Sequence, residues 1–421
     1  MIRFLLSFCL FFSSLTVLAQ TKTKKAVFII VDGIPADVIQ KLDPPNLKKI
    51  AKAGGFANAV VGGEKGGYSQ TPTISAVGYN SVLTGTWVNK HNVWDNDIAA
   101  PNYNYPTIFR LLKAQSPEKK IGIFSSWQDN RTKLVGDGLT ETGNVHFDYK
   151  FDGLELDTIN YPHDEKRDFM HRIDEKVADE AAQTIRDNAP DLSWIYLEYT
   201  DDMGHNHGDS PEFYKAIDYA DKQVGRIWNA IEYRQQNFNE DWLIIITTDH
   251  GRDSVTGSGH GGQSSRERAG WIVTNAKGLN DHFKQQQSSI VDIMPTIARF
   301  MGINIPPTIA KEVDGIPLTG KLSLANLSVV YKNEKATIRW NAREKTGKVK
   351  IWVATTNNFK TGGKDEYYLL KEVPLGLQQA VIDLKKFPSP FYKIVVEAKN
   401  NSLGRWIITE MSHKDFRANS Y

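Results

Sequence analysis

The chain has 421 residues, which is enough for one large domain and one small domain. Charged residues make up 24% of the sequence and apolar residues 40%, a balance typical of globular proteins. The net charge of +2 argues against nucleic acid as an obligate partner. The single cysteine is Cys9. The rest of the chain therefore cannot use a disulfide, a thiol nucleophile or a thiolate metal ligand.

The N-terminal residues have the pattern of a secretory signal peptide. Arg3 supplies a positive charge, and Phe4 to Leu18 is apolar but too short to span a bilayer comfortably. Small residues ending at Ala19 form a cleavage site. We predict a signal peptide over residues 1–19 and a mature protein that is periplasmic or secreted, without a transmembrane anchor. A retained N-terminal anchor is the alternative interpretation.

Apolar runs and amphipathic segments alternate over residues 20–320. The apolar runs, which are typical of buried strands, are 26–33, 120–126, 193–200, 243–251 and 270–275. Between them, segments such as 106–115 and 174–189 have helical spacing. This alternation predicts an α/β fold with a parallel sheet and helices on both faces. Ligands in such folds bind at the carboxyl ends of the strands.

The pattern changes near residue 321. From there onward apolar and polar residues alternate, with frequent turn signals, as in 322–356 and 391–401. We predict a small all-β sandwich over residues 321–421, similar to a fibronectin type III module. This region has 18 Lys and Arg against 9 Asp and Glu, a charge of +9. A basic face that contacts polyanions is one interpretation, and a solvated, charge-rich spacer is the other.

Three carboxylates and three imidazoles lie at strand ends or in glycine-rich loops of the α/β region. They are Asp32, Asp201, His205, Asp249, His250 and His260. Each residue alone is weak evidence, because a strand-end Asp is commonly a helix N-cap and a lone His a surface or core residue. Together, oxygen and imidazole ligands without thiolate suit a hydrolytic pair of zinc ions. Two metals can hold the attacking and leaving oxygens of a phosphoryl displacement.

The order of these residues resembles the alkaline phosphatase superfamily, and most closely its type I phosphodiesterase/nucleotide pyrophosphatase branch. The segments that carry the resemblance are 29-IIVDGIP-35, 201-DDMGH-205, 248-TDHG-251 and 259-GHGG-262. The resemblance implies an alkaline phosphatase-like catalytic domain over residues 20–320 that binds two zinc ions. By resemblance, one zinc ion takes Asp201, His205 and His260, and the other takes Asp32, Asp249, His250 and the oxygen of the nucleophile.

The family has a Ser or Thr nucleophile that opens a helix nine residues before a Thr-Gly pair. Counting back from Thr84-Gly85 gives Ser75. Backbone N–H groups at a helix N-terminus favour a transferring phosphoryl group, and a bound zinc ion lowers the pKa of a hydroxyl. The simpler interpretation is that Ser75 only caps a helix. Thr73 is the alternative nucleophile.

The sequence departs from the family at the third residue after the candidate nucleophile. Phosphodiesterases usually have Asn there, and this chain has Gly78. The segment 91-HNVWDN-96 resembles another family segment, so Asn96 is our candidate for the missing amide donor. Arg131 and Lys133 lie where some phosphomonoesterases of the superfamily bind phosphate. Solvated loop charges are an equally good interpretation of these two residues.

We therefore expect a secreted or periplasmic two-zinc phosphoesterase that cleaves phosphodiester or pyrophosphate bonds through a covalent phosphoseryl intermediate. An alkaline phosphomonoesterase on the same scaffold is the alternative. A sulfatase is less favoured, since 75-SAVGY-79 lacks the Pro and Arg of its motif. The alternative from another class is a non-catalytic polyanion-binding protein. Because every candidate ligand precedes residue 261, we expect turnover not to depend on residues 321–421.

Overall fold

The computed structural model describes residues 21–363 and 365–409. The predicted signal peptide, residues 1–19, lies outside these described residues, as does Cys9. Within the two described ranges, none of the helices combines the length and the apolar character needed to span a bilayer.

An eight-stranded sheet forms the centre of the structure. Its strands are β1 Thr23–Val31, β2 Gly55–Val60, β3 Ile121–Ser125, β4 Tyr149–Phe151, β5 Leu192–Leu197, β6 Glu240–Thr247, β7 Ala269–Thr274 and β8 Ser288–Ser289. They lie side by side in the order β4-β3-β5-β1-β6-β7-β2-β8. The strands from β4 to β6 in this order are parallel to one another.

The sheet is mostly parallel, and the prediction of a parallel sheet is wrong at β7. This strand is antiparallel to both of its neighbours, β6 and β2. The reason is the connection from β6, residues 248–268, which contains no helix. A parallel neighbour needs a crossover connection, usually a helix, to return the chain to the starting edge of the sheet. Without one, the chain turns back antiparallel.

Helices cover both faces of the sheet, as predicted. They are α1 Ala36–Leu42, α2 Pro45–Ala53, α3 Ser75–Thr84, α4 Val88–His91, α5 Ile108–Gln115, α6 Asp168–Asn188, α7 Tyr199–His207, α8 Pro211–Asn237, α9 Asp281–Lys284, α10 Ile293–Met301 and α11 Pro307–Ala310. Alternate residues of β1 enter two different apolar clusters, one with α3, α5 and α10 and the other with α6 and α8. Since successive side chains of a strand point to opposite faces, both faces of β1 are buried.

The C-terminal region consists of two antiparallel sheets. Its strands are β9 Leu324–Lys332, β10 Lys335–Ala342, β11 Lys348–Ala354, β12 Tyr368–Pro374, β13 Gln379–Asp383, β14 Phe391–Glu397 and β15 Ser402–Ile408. The sheets have the orders β13-β10-β9 and β12-β11-β14-β15 and enclose a third apolar cluster. The predicted all-β character is confirmed. The likeness to a fibronectin type III module and the domain boundary at residue 320 stay predictions.

The strand order places three chain segments at one edge of the central sheet. β5, β1 and β6 are adjacent and parallel, so their carboxyl ends meet there. Asp32 follows β1 directly, Asp249 comes two residues after β6, and α7 begins two residues after β5. The candidate residues of three distant sequence segments are therefore brought to one place by the sheet.

Candidate active site

The first group of candidate ligands lies between β1 and β6. Asp32, Asp249 and His250 are each at most 1% exposed. Nε2 of His250 is 3.2 Å from Oδ1 of Asp32 and 3.3 Å from Oδ2 of Asp249. On the other side of the ring, Nδ1 of His250 lies 2.9 Å from the carbonyl oxygen of Gly251. This contact turns Nε2 toward the two carboxylates.

The second group comprises Asp201, His205 and His260. Nε2 of His205 is 3.2 Å from Oδ2 of Asp201 and 2.9 Å from Nε2 of His260. The prediction that Asp201 and His205 lie at a strand end or in a loop is wrong, because residues 199–207 form α7. Their four-residue spacing places both side chains on one face of that helix. His260 comes from a loop, and its Nδ1 lies 2.8 Å from the carbonyl oxygen of Thr73.

The two groups touch each other through His250. Its ring stacks on that of His260, with centroids 3.8 Å apart and planes 14° apart. Its Nε2 is also 3.9 Å from Oδ1 of Asp201. One ligand atom from each of Asp201, His250 and His260 lies within 4.8 Å of the other two. The same is true of Asp32, Asp249 and His250. The structure thus brings all six predicted ligands together.

Two carboxylate oxygens of the first group fit a bound cation. Among the buried side-chain atoms of the described residues, Oδ1 of Asp32 and Oδ2 of Asp249 accept no hydrogen bond. Leaving a buried anionic oxygen without a partner costs free energy. The other oxygen of Asp249 accepts the N–H of Gly33 at 3.2 Å. The two remaining oxygens and Nε2 of His250 are a donor set that suits a divalent metal such as zinc.

The electrostatics of the site follow from its buried carboxylates. Burial lowers the pKa of His250, but Asp249, Asp32 and Asp201 outweigh it and raise that pKa to about 9. Burial, reinforced by Asp32, raises the pKa of Asp249 well above its usual range. Burial and then the charge of His250 lower the pKa of His260 to about 4. In metal-free protein, His250 is therefore protonated near neutral pH and His260 is neutral.

Ser75 begins α3 beside these groups. It is 7% exposed, and its Oγ lies 3.4 Å from Nε2 of His250. Gly78, one turn later, packs against the chain after β6. A Cβ atom at Gly78 would lie 2.7 Å from the backbone oxygen of Asp249 and 2.8 Å from its Cβ. Glycine at this position therefore allows the close approach of α3 to the first group.

Asn96 lies at the N-terminus of α3, next to Ser75. Its Oδ1 accepts the backbone N–H of Ala76 at 3.0 Å. A helix N-terminus has backbone N–H groups without intrahelical partners, and Asn96 binds one of them. The structure thus brings the predicted amide to the candidate nucleophile, with its oxygen turned toward the helix.

Thr73, the alternative nucleophile, has a different environment. Its side chain is buried, and its hydroxyl donates to the carbonyl of Gly262 at 2.9 Å. The same hydroxyl accepts the N–H of Gly261 at 3.0 Å. Because its carbonyl also contacts His260, Thr73 ties the loop around His260 to the chain before α3. Its hydroxyl is engaged in holding this loop.

Arg131 and Lys133 pair with acidic residues other than the six candidate ligands. Arg131 donates to both carboxylate oxygens of Asp152, at 2.6 and 2.9 Å, and to Asp137 at 2.8 Å. Lys133 pairs with Asp129 at 2.8 Å. The interpretation of these cations as loop charges with acidic neighbours agrees with these contacts.

Arg252, which is completely buried, is a residue of the site that the sequence patterns did not predict. Its guanidinium donates to the carbonyls of Gly33, Asp201 and Ser258 at 2.9, 2.8 and 2.9 Å, and also to the Asp201 carboxylate. It therefore links three segments that carry candidate ligands. A Cβ atom at Gly204 would lie 2.1 Å from Cζ of Arg252, so a side chain at that helix position would displace the buried guanidinium. The available signal was an arginine directly after 248-TDHG-251.

Two tyrosines were also missed. The hydroxyls of Tyr79, from α3, and Tyr196, from β5, both contact Oδ2 of Asp32, and that of Tyr196 does so at 2.8 Å. The two hydroxyls are 2.7 Å apart. Burial raises the pKa of both phenols well above the usual range. They hold Asp32 so that Oδ1 faces His250. In the sequence they are indistinguishable from core aromatic residues.

Comparison with known proteins shows the family of this chain. The sequence pattern of the type I phosphodiesterase / nucleotide pyrophosphatase family matches residues 26–306. The venom phosphodiesterase CdcPDE of Crotalus durissus collilineatus is 23% identical over 239 residues, which cover 55% of this chain and 26% of that protein. Human ectonucleotide pyrophosphatase/phosphodiesterase family member 7 is 22% identical over 288 residues, which cover 66% of this chain and 56% of that protein.

Among solved structures, a protein in the alkaline phosphatase superfamily from Vibrio parahaemolyticus aligns with a TM-score of 0.44 and 13% identity, over 94% of this chain and 85% of its own. The chain spans about a quarter of the length of the venom enzyme and about half of the human one. The family match covers about two thirds of the chain and includes all six candidate ligands and Ser75. The chain belongs to the type I phosphodiesterase / nucleotide pyrophosphatase family.

Proposed function

We propose that this protein is a secreted or periplasmic two-zinc phosphodiesterase that acts on small phosphodiester or pyrophosphate substrates. One observation carries the proposal. The hydroxyl of Ser75 stands at a helix N-terminus beside two adjoining groups of Asp and His, and two buried carboxylate oxygens in one group accept no hydrogen bond and have only Nε2 of His250 nearby. An alkaline phosphomonoesterase on the same scaffold is the second candidate. The N-terminal sequence pattern supports the proposed location.

Each group of ligands would hold one metal ion. Asp32, Asp249 and His250, with Oγ of Ser75, would hold the first; Asp201, His205 and His260 would hold the second. Zinc ions there would lower the pKa of the serine hydroxyl and stabilise negative charge on the phosphoryl oxygens. Arg252 holds the Asp201 carboxylate, and the two tyrosines hold that of Asp32, so the ligands are oriented before a metal binds.

The reaction would have two displacement steps. Oγ of Ser75 attacks phosphorus, so that an O–P bond forms while the bond from phosphorus to the leaving oxygen breaks. The proton that the Ser75 hydroxyl loses passes through solvent to the leaving oxygen, so the leaving group departs as an alcohol or phosphate. Water then attacks the phosphoseryl ester, releases the product and restores the Ser75 hydroxyl. Ser75 starts α3, so partial positive charge at the helix N-terminus would favour the phosphoryl oxygens in both steps.

The polar groups near Ser75 suit a diester better than a monoester. A terminal phosphate is a dianion near neutral pH, whereas a diester carries one negative charge. Arg252 faces carbonyl groups and Asp201, and Arg131 and Lys133 pair with acidic side chains elsewhere. The amide nitrogen of Asn96 and the N–H groups of α3 are neutral donors. They suit the lower charge of a diester.

A rate comparison between two chromogenic esters tests the proposed function. Purified mature protein with added zinc should hydrolyse bis-para-nitrophenyl phosphate with a kcat/KM at least about tenfold above that for para-nitrophenyl phosphate, because Arg131, Lys133 and Arg252 are each engaged by carboxylate or carbonyl groups. The reverse preference would make the monoesterase the better assignment. Hydrolysis of neither ester, with both zinc ions bound, would contradict a phosphoesterase of either kind.

Substitution of Ser75 tests the nucleophile. Ser75→Ala should lower kcat by at least about a thousandfold while both zinc ions stay bound, since the hydroxyl is a minor metal ligand. Thr73→Ala is the matched control, because it removes a nearby hydroxyl that is bound to the backbone of the His260 loop. It should cost much less. If Thr73→Ala is the more damaging change at full zinc occupancy, the nucleophile is Thr73.

Two histidines on one helix test the second metal position. His205→Ala removes a ligand of the second group, so the protein should retain about one zinc ion per chain instead of two, with little remaining activity. His207→Ala, an exposed residue on the same helix, should retain both ions. Zinc per chain is measured by atomic absorption after dialysis. Two zinc ions in the His205 variant would show that this residue is not a ligand.

The pH dependence of zinc binding follows from His250. Its pKa of about 9 in metal-free protein means that a metal ion must displace its proton. Since the proton is bound below that pKa, and the pKa of the second ligand Asp249 is also raised, zinc affinity should rise at least about tenfold per pH unit from about pH 6 to pH 8. Competition with a chelator, corrected for the chelator's own protonation, measures this slope. An affinity independent of pH over this range would contradict the assignment of His250 as a ligand.

A further inference from the structure

A buried ion cluster joins the C-terminal sheets to the catalytic region. Nζ of Lys393, on β14, lies 2.8 Å from Oε1 of Glu312 and 2.9 Å from Oδ2 of Asp365. The three side chains are only 1–3% exposed. The hydroxyl of Tyr367 also donates to Oε1 of Glu312, at 2.7 Å. Both partners of the Glu312 carboxylate thus come from the C-terminal region.

This cluster requires the two regions to stay in contact. A buried ion pair adds little stability compared with an apolar contact, but removal of one partner leaves an uncompensated buried charge. Without Lys393, the carboxylates of Glu312 and Asp365 would remain buried and close together. The region that supplies Lys393 therefore has to remain docked in one position for Glu312 to remain buried.

Glu312 begins a short segment that holds the end of the nucleophile helix. The carbonyl of Gly85, which caps α3, accepts the N–H of Asp314 at 2.9 Å. The carboxylate of Asp314 accepts the N–H of Trp87 at 3.0 Å and Nζ of Lys90 at 2.7 Å. Nζ of Lys90 also donates to the carbonyl of Glu312, at 2.6 Å. Residues 312–314 thus fix the C-terminal end of α3 and the start of α4.

A second contact from the C-terminal region reaches the chain just after α4. The ring of Phe359 packs against Tyr105, with centroids 4.8 Å apart. The side-chain amide of Asn102 donates to the carbonyl of Lys360 at 2.7 Å, while its backbone N–H donates to the carbonyl of His91 at 2.9 Å. His91 is the last residue of α4. Two independent contacts therefore converge on α3 and α4.

We propose that the C-terminal sheets position the nucleophile helix, with Lys393 as the positioning residue. The proposal rests on the proposed function, in which Ser75 at the start of α3 is the nucleophile. α3 has ten residues and is about 15 Å long, so a shift at its C-terminal end moves Ser75 relative to its metal ligands. The contacts argue against the sequence-based expectation that turnover is independent of residues 321–421.

Hydrogen exchange and kinetics on full-length variants test the proposal. In Lys393→Met, amide exchange in α3 and α4 should be about tenfold faster or more, because the docked contact that protects them is weakened. The value of kcat on bis-para-nitrophenyl phosphate should fall about 10- to 100-fold, while KM and zinc content change little. Lys393→Arg, which keeps the charge, should recover most of both losses.

Lys348→Met is the matched control. Lys348 is 72% exposed and pairs with Glu372 within the same sheet, so this substitution should change neither exchange in α3 and α4 nor kcat. If Lys393→Met does not fold, Tyr367→Phe removes a donor to Glu312 without stranding a charge and should increase the same exchange by a smaller factor. Exchange in α3 and α4 equal to that of the control would overturn the proposal. This readout holds even if the wild-type protein hydrolyses no ester.

Discussion

The site depends on a concentration of negative charge that the sheet buries at the ends of β1 and β6. Asp32 and Asp249 are almost inaccessible to water, and each has one oxygen without a hydrogen-bond partner. Such a pair is costly unless a cation compensates it. The proton on His250 supplies part of the compensation in metal-free protein, which is why the pKa of this histidine is raised. A divalent metal would supply it more completely, so affinity for metal would arise from the same burial that destabilises the carboxylates.

Much of this arrangement could be predicted from the sequence, because it follows from short local patterns. Asp32 and Asp249 directly follow apolar runs, and parallel strands end at one edge of a sheet. The spacing of Asp201 and His205 showed that they belong together, although their helix was not recognised. A polar, glycine-containing segment of nine residues has little helical signal of its own. In the folded chain Gly204 packs against the buried guanidinium of Arg252, a contact between distant segments that the local sequence does not show.

What escaped prediction depends on contacts between distant segments. Tyr79 and Tyr196 are ordinary core residues in the sequence, and only the folded chain shows that their hydroxyls hold Asp32. β7 is antiparallel because the connection before it, residues 248–268, contains no helix. Periodicity alone did not show whether this connection forms a helix. Gly78 was noted as a departure from the family, but its reason, the close approach of α3 to Asp249, is visible only in three dimensions.

Helix α3, which begins at the proposed nucleophile Ser75, is the element that connects these observations. Its first residue faces the buried carboxylates and His250, its middle residue Tyr79 contacts Asp32, and its C-terminal cap is held by Asp314. A rigid helix held at both ends cannot adjust one end without straining the other. In the proposed site, the placement of Ser75 therefore depends on what fixes the far end of α3. Asp314 binds that end, and two residues earlier the carboxylate of Glu312 pairs with Lys393 of the C-terminal region. The alternating C-terminal sequence predicted strands but not the proposed role of Lys393. Nothing in the sequence distinguishes Lys393 from the other lysines of this region, because its burial against Glu312 arises only in the folded chain.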